Sequence, residues 1–331
     1  MSVIIPARNE EKNIANCLEA ITRQNYPSHL VEIIVVNDQS TDSTASIVAQ
    51  FAPAVRLINI PASDTSLSPK KKAIETGILA STGDLIVTTD ADCTSGPQWL
   101  SSIETAYARN NLVIAAPVRI TTNKSLLSKF QSLDFLTMQG ITGAGISRGI
   151  HHMANGANLA YDKKTFFEVG GFSGNEQLAS GDDMFLIQKI ANKFPGKVCY
   201  LKRQEAILDT LPVKNLHEFF QQRIRWAGKA AHYKEEKLIA VLVLVYLTNL
   251  MLITLLLSSI FFPISILLFF LLCILKFIME YPFVRQLTIF FNQQKLLPWL
   301  LLLQPLHILY IVVSGFFGQI KSYEWKGRKL K

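Results

Sequence analysis

The sequence of 331 residues predicts an α/β fold, a mainly parallel sheet flanked by helices, followed by C-terminal transmembrane helices. Three observations predict it. Short β-branched runs alternate with stretches of helical spacing at the start of the chain, which is the signature of βαβ units. Acidic residues stand just past the ends of two of those runs, where parallel sheets bind their ligands. Apolar residues make up 49% of the chain but crowd into 238–318, whereas up to about residue 237 charged and apolar residues mix as in a soluble domain.

Taken in order, Val3-Ile4-Ile5 reads as a short strand ending at Pro6, and Ala7-Arg8-Asn9-Glu10-Glu11 as the polar loop that opens a helix. Ile14, Cys17, Leu18 and Ile21 fall at helical spacing. Glu32-Ile33-Ile34-Val35-Val36 is a buried strand stopped by Asn37-Asp38, and 40–44 supplies helix-capping chemistry for a helix toward Phe51. A strand over 55–60, a helix over 70–80 and a strand over 84–89 complete the alternation. The segment 121–152 carries no readable chemical pattern and is expected to be flexible or amphipathic.

The net charge of +8 suits anionic lipid or an anionic substrate. No nucleic-acid signature accompanies it. Cys17, Cys93, Cys199 and Cys273 are far apart and lack metal-ligand spacing, so reduced thiols are expected rather than zinc or disulfides. The first strand begins almost at residue 1, so no signal peptide is expected ahead of it, and the abrupt start leaves room for an upstream span.

Three motifs carry chemistry. In Asp90-Ala91-Asp92 two carboxylates flank a small residue, and on extended backbone they point the same way. They suit one Mg²⁺ or Mn²⁺ that also binds a diphosphate. The same acids read otherwise as a solvated loop. Asp38 ends its strand where a carboxylate accepts hydrogen bonds from a base or ribose, or simply caps a turn. Asp182 and Asp183 follow Gly181 at the start of an apolar helix. Either they cap it through the helix dipole, or one of them takes a proton from an acceptor hydroxyl. Gln222, Arg225 and Trp226 share one face of a helix over about 215–230. Arg225 fits a diphosphate and Trp226 a sugar ring; alternatively the helix is an amphipathic one at the membrane boundary.

In this order the motifs resemble the processive-type branch of the family 2 inverting glycosyltransferases, which have the Rossmann-like GT-A fold. The resemblance starts at Val3 to Glu10 and continues through Asn37 to Asp42, Lys70, Asp90-Ala91-Asp92 and Asn155-Gly156-Ala157-Asn158. It then takes in Val169 to Phe172, Asp182-Asp183 and Gln222 to Trp226. It implies that Pro6, Ala7, Glu10, Asp38, Lys70 and Asp90 line the donor pocket and that Asp92, with Asp90, holds the metal. It implies Asp183 as the catalytic base, with Asp182 where that family commonly has Glu. Gln222, Arg225 and Trp226 would serve the diphosphate and the acceptor. The implied activity is hexosyl transfer with inversion from a nucleotide sugar, UDP-linked in the first instance, to a lipid-linked or glycan acceptor of the cell envelope. A nucleotide-sugar-binding membrane regulator without turnover is the alternative.

The domain reading is a catalytic domain over 1–213, an interfacial helix over 214–237, a transmembrane region over 238–318 and a basic tail over 319–331. Within the third part, 238–260, 264–281 and 296–318 are the hydrophobic segments. The first has no charge over a length that matches a hydrocarbon core of about 30 Å; the second contains Lys276. A cytosolic catalytic domain on an inner or plasma membrane is expected, because nucleotide sugars are made in the cytosol. Three full spans would put the tail outside, yet its five Lys and Arg argue for inside. The segment broken at Pro305 is the candidate for re-entry. Few helices favour one or few transfers over polymer extrusion.

Overall fold

The computed structural model describes residues 1–61, 68–174, 181–228, 233, 235–319, 323–325 and 328–330. The basic residues Lys321, Lys326 and Lys331 of the tail lie outside the described residues, as do positions 229 and 230 at the end of the expected helix over 215–230. Two compact units divide the chain. The first comprises 1–119, 141–211 and 325–331, the second 120–140 and 212–324.

The described strands are β1 (Ser2–Ala7), β2 (Glu32–Asn37), β3 (Val55–Asn59), β4 (Leu85–Thr88), β5 (Thr94–Ser95), β6 (Val113–Ala115), β7 (Val118–Ile120), β8 (Leu159–Asp162), β9 (Val198–Tyr200), β10 (Leu208–Thr210) and, paired with each other in the tail, β11 (Tyr323–Trp325) and β12 (Arg328–Leu330). Among the described residues seven of them form one sheet in the order β3-β2-β1-β4-β8-β6-β9. The first four are mutually parallel and β8 is antiparallel to both its neighbours. The order reverses at β1, which lies between β2 and β4. Such a reversal opens a crevice at the carboxyl ends of the strands. Around the sheet run α1 (Ile14–Thr22), α2 (Thr44–Ala49), α3 (Pro69–Ala80), α4 (Trp99–Tyr107), α5 (Leu126–Arg148), α6 (Lys163–Glu168) and α7 (Asp182–Lys193).

The core forms where the β-branched runs bury both faces: Ile4, Ile34, Val36 and Ile86 pack with Ala73, Ile74 and Ile78 of α3. Helix α3 approaches closely because Gly77 faces the sheet; a Cβ there would lie 2.5 Å from Ile4 Cγ2. Strand β1 does not end at Pro6 but runs through it to Ala7. Pairing with β4 stops at Ile4, while β2 continues alongside to Ala7. The N–H that proline lacks therefore costs no ladder bond on the β4 side.

The stretch expected to be flexible or amphipathic is mostly helix: α5 has 23 residues. Its burial explains why no amphipathic period was visible. Phe130, Leu133, Phe135 and Leu136 are buried, and so are Gln131, Ser132 and Asp134 on the other sides. Residues 126–140 of this helix belong to the second unit and the remainder to the first.

The second unit continues with α8 (Leu216–Gly228), α9 (Glu236–Ser258), α10 (Ile264–Phe290) and α11 (Trp299–Gly318). The last three are each long and apolar enough to cross a membrane. Helix α10 extends well past the expected end near 281. Glu280 is held by Lys276 at 2.6 Å and by the Gln304 amide at 2.8 Å, so the acid inside the helix is paired. Helix α11 likewise continues through Pro305 instead of breaking there. Gln293, between α10 and α11, donates to Ile120 O and accepts from Ser132 Oγ. In the same unit Arg223 forms an ion pair of 2.7 Å with Asp134, and both side chains are at most 4% exposed. The guanidinium carbon also lies 4.2 Å from the ring centre of Trp226.

Candidate active site

The loops after β1 and β2 are laced together by short polar side chains. Asp38 N donates to Ala7 O at 2.8 Å, and Arg8 reaches back to Asp38 O at 2.7 Å and its carboxylate at 3.9 Å. Asn9 N donates to Ser40 Oγ, Thr41 N to Asn9 Oδ1 and Glu10 N to Thr44 Oγ1. Asn9 and Gln39 both take left-handed backbone, with φ of 52° and 53°. Non-glycine residues adopt that conformation rarely, and it concentrates where loops serve a site. This lacing sets Pro6, Ala7, Glu10 and Asp38 on adjoining strand ends, with Ala7 and Asp38 buried.

Past β4, Thr89 N donates to Ile4 O and carries the sheet contact one residue further. Asp90 and Asp92 follow, both half-buried. Of the lysines at 70–72, Lys70 reaches Asp90 Oδ1 at 2.6 Å, while Lys71 is buried and Lys72 exposed. Asp92 accepts a long 3.5 Å bond from Thr210 Oγ1 at the end of β10. Two buried thiols sense this concentration of acid. Burial raises the pKa of Cys17 far above its ordinary value, and the charges of Asp92, Asp90 and Glu10 raise it further. Burial does the same to Cys93, again reinforced by Asp92 and Asp90. Glu10 from the β1 loop and the Asp90–Asp92 pair from the β4 loop thus act on one thiol.

Asp183 sits in the first turn of α7. One carboxylate oxygen accepts from Gly156 N at 2.9 Å and the other from Met184 N at 2.8 Å. Gly156 O in turn accepts from Thr88 Oγ1 at 2.9 Å. Thr88 is the last residue of β4, so the backbone of one residue, Gly156, links Asp183 to the strand that delivers Asp90. The Asp182 side chain lies outside the described residues. The turn around Gly156 is anchored by Asn158, which is fully buried. Its Nδ2 donates to Pro117 O and Ala206 O, and its Oδ1 accepts from Trp99 Nε1. Asn158→Ala is expected to orphan these groups and to cost about 2–4 kcal/mol, read as a loss of thermal stability.

No three His, Cys, Asp or Glu side chains converge on one point among the described residues. The acidic pair nevertheless fits Mg²⁺ or Mn²⁺. These ions bind to proteins through one or two carboxylates and take water and phosphate oxygens for the rest. Asp90 accepts from the Lys70 ammonium, and Asp92 accepts from Thr210 Oγ1 at 3.5 Å and from Cys93 Sγ at 3.7 Å.

Gln222, Arg225 and Trp226 belong to α8 in the second unit. There the buried arginine is Arg223, and Arg225 is half-exposed. Reading the sequence by motif named Arg8, Gly156 and Asn158 within longer runs but gave them no role of their own, and it singled out neither Thr88 nor Thr210. The excess of Asn, Thr and Ser beside the acids was the available signal, since these residues bond neighbouring backbone where loops must hold one shape.

The description Glycosyl transferase family 2 matches residues 2–176, more than half of the chain. Glycosyltransferase AglE of Haloferax volcanii is 31% identical over 183 residues, covering 55% of this chain and 58% of that protein. The probable glycosyltransferase YdaM of Bacillus subtilis is 29% identical over 241 residues, covering 69% of this chain and 54% of that protein. The chain thus spans little more than half the length of these relatives. Among solved structures, the mannosyltransferase PcManGT from Pyrobaculum calidifontis, in complex with GDP-Man and Mn²⁺, is 19% identical. It aligns over 95% of this chain and 86% of its own with a TM-score of 0.59, a likeness of fold.

Proposed function

Because the chain belongs to glycosyl transferase family 2, we propose that it transfers a sugar from a nucleotide diphosphate, UDP in the first instance, to a lipid-linked or glycan acceptor at a bilayer surface. The reaction is a single displacement with inversion. The acceptor oxygen bonds to the anomeric carbon as the bond to the diphosphate breaks, and the electron pair leaves with the nucleotide. Asp183 takes the acceptor proton. What supports this is the backbone link from its carboxylate through Gly156 to Thr88, because it joins the base to the strand that ends in the acidic pair.

The strand-end residues Pro6, Ala7, Glu10 and Asp38 hold the nucleotide, with Lys70 and Asp90 beside it. A divalent cation held by Asp92 and Asp90 supplies positive charge against the diphosphate. The assignment of Gln222, Arg225 and Trp226 to diphosphate and acceptor rests on the ordered motif run. The apolar helices support a membrane-bound enzyme, and the cytosolic supply of nucleotide sugars supports a cytosolic catalytic domain.

The test is nucleotide release by the purified full chain in lipid, over a panel of nucleotide sugars, with Mg²⁺, Mn²⁺ or chelator. Release is expected to need the cation and to fall by about 10²–10³-fold in Asp92→Asn. Release indifferent to both would remove the metal reading. Donor binding without release under any condition would favour a regulator.

A further inference from the structure

We propose that α11 does not cross the bilayer. It lies nearly flat in the leaflet from which the chain enters α9, so that α9 and α10 are the spanning pair and the tail leaves on the side of entry. The lipid acyl chains of that leaflet cover its outward face. This inference is independent of the transferase reading, since it uses only the helices of the second unit and a bilayer.

Helices α9 and α10 form a hairpin closed by 259–263, whose apolar side chains are exposed. Depth is measured from that turn. Tyr246 stands about 18 Å of helical rise from Ser258, and Glu280 about 24 Å from Ile264. Helix α11 meets α10 where Gln304 donates to Glu280 at 2.8 Å. It meets α9 where Gly315 faces Tyr246; a Cβ on Gly315 would lie 2.8 Å from that ring. Between these contacts α11 advances about 16 Å but changes depth by only about 6 Å. That is an inclination of about 20° to the plane the hairpin crosses. A third span would instead bring Gly315 close to the turn, level with the last residues of α9.

The far end of α11 agrees. Gln319 Nε2 donates to Ala227 O at 3.3 Å, at the end of α8, and Tyr310 packs on Phe219 with ring centres 5.5 Å apart. Helices α8 and α11 therefore run side by side in the same direction. Helix α8 has 13 residues, among them His217, Glu218, Gln221, Gln222, Arg223 and Arg225. It is too short and too polar to span, and it has the make-up of a helix at the lipid boundary. Its companion shares its plane.

The depth is also right for such a helix. The uncharged part of α9 from Leu238 to Ser258 rises about 30 Å, one hydrocarbon thickness. Contacts about 18 and 24 Å from the turn then lie about 6–12 Å beneath the near boundary, where in-plane helices settle. The polar side chains of α11 point into the protein: Gln304 to Glu280, and His307 to Asp134 at 3.8 Å. Leu301, Leu302, Leu309 and Phe316 point outward and are exposed. At the N-terminal edge, Lys129 Nζ sits 3.9 Å from the Trp299 ring centre, a pairing suited to the head-group boundary.

Nitroxide labels on Leu301→Cys, Leu309→Cys and Phe316→Cys test this in the full chain reconstituted in bilayer nanodiscs. Cys199 and Cys273 are replaced by Ala, and the buried Cys17 and Cys93 remain. Oxygen and nickel-chelate accessibilities give the depth of each label. The three depths are expected to agree within about 8 Å, as an inclination of 20° requires. A spanning helix would separate labels 301 and 316 by about 22 Å. A re-entrant loop would set 309 deeper than both others. Either pattern overturns the proposal. Independently of label effects, epitope tags before residue 1 and after Lys331 are expected to be digested together, or protected together, when protease is added to sealed vesicles. Digestion of one tag alone would overturn it.

Discussion

Asp183→Asn is expected to lower turnover by about 10²–10⁴-fold while donor affinity changes little. The carboxylate is fixed by two backbone N–H groups, from Gly156 and Met184, one on each oxygen. Asparagine keeps the size and can keep one of these bonds through its carbonyl. Its amide nitrogen cannot accept the other and cannot take a proton from the acceptor. The loss should therefore fall on kcat, with donor dissociation measured by titration calorimetry close to that of the parent. Turnover within a few-fold of the parent would remove Asp183 from the mechanism and turn attention to Asp182.

Asp134→Asn should produce the largest fall in stability. Asp134 and Arg223 pair at 2.7 Å with side chains 4% and 1% exposed, and Arg223 is also enclosed by the rings of Trp226 and Phe219. Removing one charge leaves the other buried without compensation, which typically costs about 3–5 kcal/mol. The double change Asp134→Asn with Arg223→Gln removes both charges and is expected to recover most of the loss. Thermal unfolding in detergent gives all four corners of the cycle. Additive losses in the double variant would show that the pair is not the unit of stability.

The parallel half of the sheet was legible because β-branched runs buried on both faces leave continuous apolar stretches, as at Ile33 to Val36. That Asp38, Asp90 and Asp92 stand just past strand ends was legible for the same reason, since the end of such a run marks the end of the strand. The link that joins Asp183 to β4 was not. It passes through the backbone of Gly156, and a main-chain N–H has no residue type by which to be recognised. Helix α5 stayed hidden because it buries polar and apolar side chains together, which erases the 3.6-residue period. In Gln222 to Trp226 the pattern directed attention to Arg225, while the side chain that packs on Trp226 is Arg223. Its partner Asp134 is 89 positions away, and no local spacing could reveal it. The hydrophobic length of α11 was plain, but length alone does not say which direction a helix takes through lipid. Its neighbours Glu280, Tyr246 and Ala227 decide that.

The uncharged run of α9 has a fixed reach, and membranes do not share one thickness. With Glu236 and Lys237 at one end and a tight turn at the other, the hairpin cannot lengthen. In bilayers of longer acyl chains it must thin the lipid around it or draw α8 toward the interior, each at a fraction of a kcal/mol per ångström. Chain length of the surrounding phospholipid thereby sets the depth at which α8 rests.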